Sequence, residues 1–119
     1  MYTIRIRYTE GNDSDIVAYQ LLNDEKVILE DVSEHFKELS RGESFLHTVD
    51  YLVKRVPNGS ILVLETNDNV VIYADSVNPD LNDIKEKIHN TIKINNLEFE
   101  QKRLENTDDL KRLLKEFKK

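Results

Sequence analysis

Acid–base chemistry in this 119-residue chain would have to start from three histidines, the side chains whose ordinary pKa lies near neutral pH. His35 stands between Glu34 and Glu38, and on a helix Glu38 would lie one turn away. A metal site needs three or four convergent ligands, and this segment offers two, so it reads as a solvated face. His47, Asp50 and Tyr51 can share one helix face, which is half of a catalytic triad. No Gly-x-Ser-x-Gly elbow accompanies them. His89, between Glu86 and Lys93, reads as a surface residue. Asp75, Asp80 and Asp83 gather between a strand end and a helix start, where a cation could sit. Asp80 and Asp83 are, however, explained as first-turn partners of the helix dipole. The absence of cysteine excludes thiolate metal sites, cysteine nucleophiles and disulfides together. The three glycines, at 11, 42 and 59, are too far apart for a Walker or dinucleotide loop. The sequence therefore assigns no catalytic residue, no metal ligand and no cofactor.

The elements that would position these groups follow from periodicity. Tyr2 to Thr9 alternates as a strand with Tyr2, Ile4, Ile6 and Tyr8 on one face. Glu10 to Asp15 is turn-rich, and Ile16–Leu22 reads as a hairpin partner, with a short helix as the competing reading. Asn23 to Gly42 reads as a helix with the stripe Ile28, Val32, Phe36 and Leu39. Its alternative is a strand over Lys26–Glu30 followed by a shorter helix. Ser44 caps a second helix with the stripe Phe45, Val49, Leu52, Val53 and Val56. Ser60–Thr66 and Asn69–Asp75 read as a central hairpin through Asn67-Asp68-Asn69. Asn78-Pro79 opens a third helix, with Leu81, Ile84, Ile88 and Ile92 buried. Leu97–Arg103 alternates as a charged edge strand, and a last helix starts at Asn106 or Thr107. The class is thus α+β, in one domain over residues 1–119. A mixed or mainly antiparallel sheet of about five strands packs with three to four helices, in the order β-β-α-α-β-β-α-β-α.

Charge is unevenly placed. Residues 1–83 carry 7 Lys+Arg against 16 Asp+Glu, a net of −9; residues 84–119 carry 10 against 7, a net of +3, giving −6 overall. Asp24, Glu25, Glu30, Asp31, Glu34 and Glu38 would line the solvent side of the first helix and steer a basic partner protein toward it. The reading this favours is a small non-enzymatic interaction module, acting as an inhibitor, immunity protein or regulatory adaptor. The richness in Lys, Asn, Ile and Glu fits AT-rich coding, as in phage or mobile elements. One alternative is a small-molecule binder or enzyme with a site near His47, Asp50 and Asp75. Another is a nucleic-acid adaptor using the C-terminal helix, with Lys111, Arg112, Lys115, Lys118 and Lys119, although overall acidity disfavours nucleic acid. Homo-oligomers could form through an edge strand. The N-terminus interleaves charge with apolar residues and does not read as a signal peptide, and no apolar run approaches a membrane span. Cytoplasmic location is the expectation.

Overall fold

β1 (Tyr2–Glu10), β2 (Ser14–Asn23) and β3 (Lys26–Phe36) form an antiparallel meander in the computed structural model, which describes residues 1–36, 42–67, 72, 77–105 and 107–117. The chain continues through α1 (Glu43–Val53), β4 (Ile61–Thr66), α2 (Pro79–Ile94), β5 (Glu98–Arg103) and α3 (Asp108–Phe117). Strand order is β3-β2-β1-β4-β5, and β4 runs parallel to both its neighbours. The α+β class with a five-stranded mixed sheet is as the sequence indicates. The β1–β2 turn closes on Gly11, whose N–H donates to the Ser14 carbonyl at 3.1 Å. A Cβ at Gly11 would lie 2.5 Å from that carbonyl oxygen, so only glycine fits.

The first helix expected over Asn23–Gly42 is instead β3. Asp24 and Glu25 have φ of 47° and 70°, the left-handed pair that a two-residue hairpin turn requires. Ile28, Val32 and Phe36 are spaced by four, which suits a helical turn and the strand period of two equally well. Pairing with β2 along Ser14–Asn23 decides for the strand. Leu39 and Gly42's neighbours at 37–41 lie outside the described residues. The strand alternative over Lys26–Glu30 was therefore right in kind and too short.

The central hairpin is corrected as well. β4 is central, and Leu62, Val63 and Leu64 are all buried, but its two edges are taken by β1 and β5. No edge along Ile61–Thr66 remains for a hairpin partner, and of Asn69–Asp75 only Ile72 lies within the described residues. Helix α1 begins two residues earlier than a Ser44 cap would place it. Its N-cap is Gly42, at φ 91°, with no side-chain cap, and Ser44 lies buried within the first turn. Helix α2 starts as expected: the Asn78 side chain accepts from the Asp80 N–H at 2.9 Å, with Pro79 at the first position.

Alternation sorts the strands onto two faces. Ile4, Ile6, Val17, Tyr19, Leu21, Leu62 and Leu64 pack under α1 and α2 in the larger core. On the opposite face Ala18 packs with Leu104, Leu110 and Leu113, and with Val32 and Leu114 at its margin, beneath α3. That second face also carries a polar row. Lys102, Glu65, Arg5, Gln20 and Glu30 stand in register, one per strand. Arg5 Nε donates to Glu65 at 3.1 Å, Gln20 Nε2 donates to Glu30 at 2.9 Å, and Arg112 of α3 reaches Glu30 at 3.5 Å. Among the described residues no helix is long and apolar enough to cross a membrane.

Phe45 is fully buried between α1 and the sheet, so Phe45→Ala should cost about 3–5 kcal/mol in urea unfolding. Gly42→Ala, which forces a Cβ into the left-handed region, should cost about 1–2 kcal/mol in the same measurement.

Candidate functional site

One end of the sheet, where β1 ends, β2 begins and β3 ends, faces the first two turns of α1. Antiparallel register places Asp15 opposite His35 and Val17 opposite Ser33, on the α1 side of the sheet. On α1 the spacing of Ser44, His47, Thr48 and Tyr51 puts them on one stripe. The two sets converge. Tyr19, Ser33, His35, His47, Thr48 and Tyr51 line a cavity of about 270 Å³.

Within it, the Ser33 Oγ lies 3.0 Å from His35 Nε2, which fixes the ring and directs Nδ1 away from that serine. Burial lowers the His35 pKa below the ordinary histidine value; the neighbouring His47 lowers it further, and Asp15 partly offsets this. His35 is therefore held neutral at pH 7 while facing a second imidazole. Behind it, the Tyr8 hydroxyl donates to Asp15 Oδ2 at 2.9 Å, and Asp15 is 3% exposed. Burial, followed by the Asp15 hydrogen bond and charge, pushes the Tyr8 phenol far above its ordinary value, so it stays protonated. At the mouth, Tyr51 meets Tyr19 edge-on with ring centres 6.3 Å apart. The Arg55 guanidinium lies 3.7 Å from the centre of the Tyr51 ring and donates to the Tyr51 carbonyl at 2.9 Å.

The structure thus unites His47 with Tyr51, as the sequence suggested, and adds His35, Tyr8, Asp15 and Ser33. Asp50 is not part of the cavity; it binds Lys54 at 3.1 Å on the helix flank. Asp75 lies outside the described residues. Asp80 and Asp83 are exposed on α2, and the His89 ring engages the Ile72 carbonyl. The missed members were hidden by the helical reading of β3. As a strand, Asp31, Ser33 and His35 alternate onto one face, which is the signal that would have found them. Among the described residues no three histidine, aspartate or glutamate side chains gather as metal ligands.

The six acidic residues expected to form one helix face do not share a face, because β3 is a strand. Asp24 and Glu25 form the β2–β3 turn, and Asp24 binds the N-terminal amine at 2.9 Å. Glu30 points toward α3, while Asp31 lies on the α1 side and accepts from the Val32 N–H. Glu34 follows Glu30 toward the α3 side, and Glu38 lies outside the described residues. In α3, Arg112 is engaged by Glu30 and Glu116, which removes it from the basic face.

No protein-family model matches the chain, and no curated protein matches it in sequence. Solved structures do match in fold. The RNase H1 of the halophilic archaeon Halobacterium salinarum NRC-1 aligns over 96% of this chain and 98% of its own, with TM-score 0.67 and 10% identity. LC11-RNase H1, isolated from compost by a metagenomic approach, aligns over 94% and 91%, with TM-score 0.59 and 12% identity. Thermus thermophilus RuvC superposes more loosely, at TM-score 0.40 over 87% of this chain and 64% of its own, with 8% identity. The chain has the fold of RNase H1. That overturns the reading as a non-enzymatic inhibitor, immunity protein or adaptor, which rested on small size, acidity, missing catalytic motifs and an acidic helix face that is in fact strand β3. The likeness in fold gives no support to a role in inhibition or protein binding.

Since Tyr8 remains protonated in the folded chain above pH 10.0, unfolding releases a proton there. Stability should be complete below that pH and fall as pH rises through the alkaline range. Tyr8→Phe should flatten the fall, as read by thermal unfolding between roughly pH 9 and 11.

Proposed function

We propose that this chain is a ribonuclease that cleaves the phosphodiester bond by histidine acid–base catalysis. One observation carries the reading: two imidazoles, from β3 and α1, face a shared cavity on an RNase H1 fold. The fold likeness supplies the substrate class, and the cavity supplies the chemistry. In the tautomer whose Nε2 donates to Ser33, the neutral His35 has a lone pair on Nδ1 to take the proton of an RNA 2′-hydroxyl. The freed 2′-oxygen attacks phosphorus and the bond to the 5′-oxygen breaks. His47, on the facing helix, gives that oxygen its proton. A 2′,3′-cyclic phosphate and a free 5′-hydroxyl result, and no metal enters the balance. The partly buried seat of His35 favours the base because a lowered pKa keeps it unprotonated at neutral pH.

The chain's net charge of −6 works against a polyanion, so binding must rest on local contacts at the cavity. His35→Ala and His47→Ala should each lower kcat/KM on a single-stranded RNA by roughly 10²–10⁴-fold with the fold retained by circular dichroism. RNA with a 2′-deoxy sugar at the cleavage position should resist. Cleavage that chelators abolish and magnesium restores, with both histidines dispensable, would overturn the reading. The acid limb of the pH–rate profile should fall below pH 6.5, because the base is lost only when His35 protonates at its lowered pKa.

A further inference from the structure

We infer that Tyr51 and Arg55 form a stacking platform for one unpaired nucleobase, which makes single-stranded RNA the substrate and excludes duplexes. This inference rests on the ribonuclease reading of the cavity. Tyr51 is 43% exposed at the cavity mouth, an unusual place for a large aromatic ring with no core to fill. Its ring is covered on one side by the Arg55 guanidinium at 3.7 Å. The bond from Arg55 Nη1 to the Tyr51 carbonyl holds the guanidinium over that ring. Arg55 is itself exposed, and among the described residues no carboxylate pairs with it. Its outer face is therefore free for a third flat layer, and guanidinium planes and aromatic rings are the surfaces on which unstacked RNA bases settle. The edge-on contact with Tyr19 locks the ring's orientation from the other side.

Size gives the strand preference. A cavity of about 270 Å³ accepts one nucleotide's sugar and phosphate between the imidazoles, but not a paired base with its partner. A base seated on Arg55 must leave its helical stack, which costs little in a single strand and several kcal/mol in a duplex. The base, not the phosphate, is accordingly the group assigned to Arg55.

The probe is a fluorescein-labelled 2′-O-methyl adenosine hexamer, which binds but has no 2′-hydroxyl to react. Fluorescence anisotropy should give a measurable Kd for wild type, unchanged in Asp50→Asn on the helix flank outside the cavity. Arg55→Ala and Tyr51→Ala should each weaken binding roughly tenfold, and Arg55→Lys, which keeps the charge and loses the plane, should weaken it nearly as much. The same strand annealed to its complement should not bind. Unchanged binding in both alanine variants, rescue by lysine, no binding at all, or equal affinity for the duplex would each overturn the platform. If the probe binds through Arg55 while RNA is never cut, acid–base cleavage fails and the platform stands. If RNA is cut in both strand states regardless of Arg55, the reverse holds.

Discussion

Everything in this fold depends on β1 being hydrogen-bonded along both edges, antiparallel to β2 and parallel to β4. An antiparallel edge can be served by a tight turn, but a parallel one requires a long crossover. The chain between β3 and β4 must therefore cross the sheet, and it does so as α1. Burial of Ile4, Ile6, Leu62 and Leu64 fixes which side of the sheet it crosses. The start of α1 then lands over the end of β1, where Tyr8, Asp15 and His35 already point. The cavity is a by-product of that crossover geometry, not of any local motif.

Local signals were readable and nonlocal ones were not. Asn78-Pro79 announced α2 because a cap and a proline act on neighbouring backbone only. The burial of Leu62 to Leu64 announced a central strand because covering both faces leaves no room for alternation. β3 was misread because residues spaced by four satisfy two geometries, and only the ladder to β2 chooses between them. That single ambiguity cost most of the site, since Ser33 and His35 change partners entirely when helix becomes strand. His47 and Tyr51 survived because helix α1 keeps them on one face whatever it packs against.

Identities of 10% and 12% with the RNase H1 structures show how little of a sequence a fold needs. What persists is pattern: alternation in the meander, apolar runs in the parallel strand, stripes on the helices. A scaffold of this kind delimits where chemistry can be placed, and the side chains there decide which chemistry it is. In this chain the cavity between α1 and the sheet is furnished with imidazoles, hydroxyls and tyrosines.

The polar row on the α3 side has a role in preventing misassembly. Gln20 is wholly buried and Arg5 and Glu65 partly so, and each finds its partner only across the strand boundary in the observed register. If β3 or β4 slid by one residue, every side chain would change faces, leaving these groups sealed in without a counterpart. An apolar row would tolerate such sliding, whereas this one rejects it. The sheet thus carries its own alignment gauge, read out at every strand and completed by Arg112 only after α3 has docked.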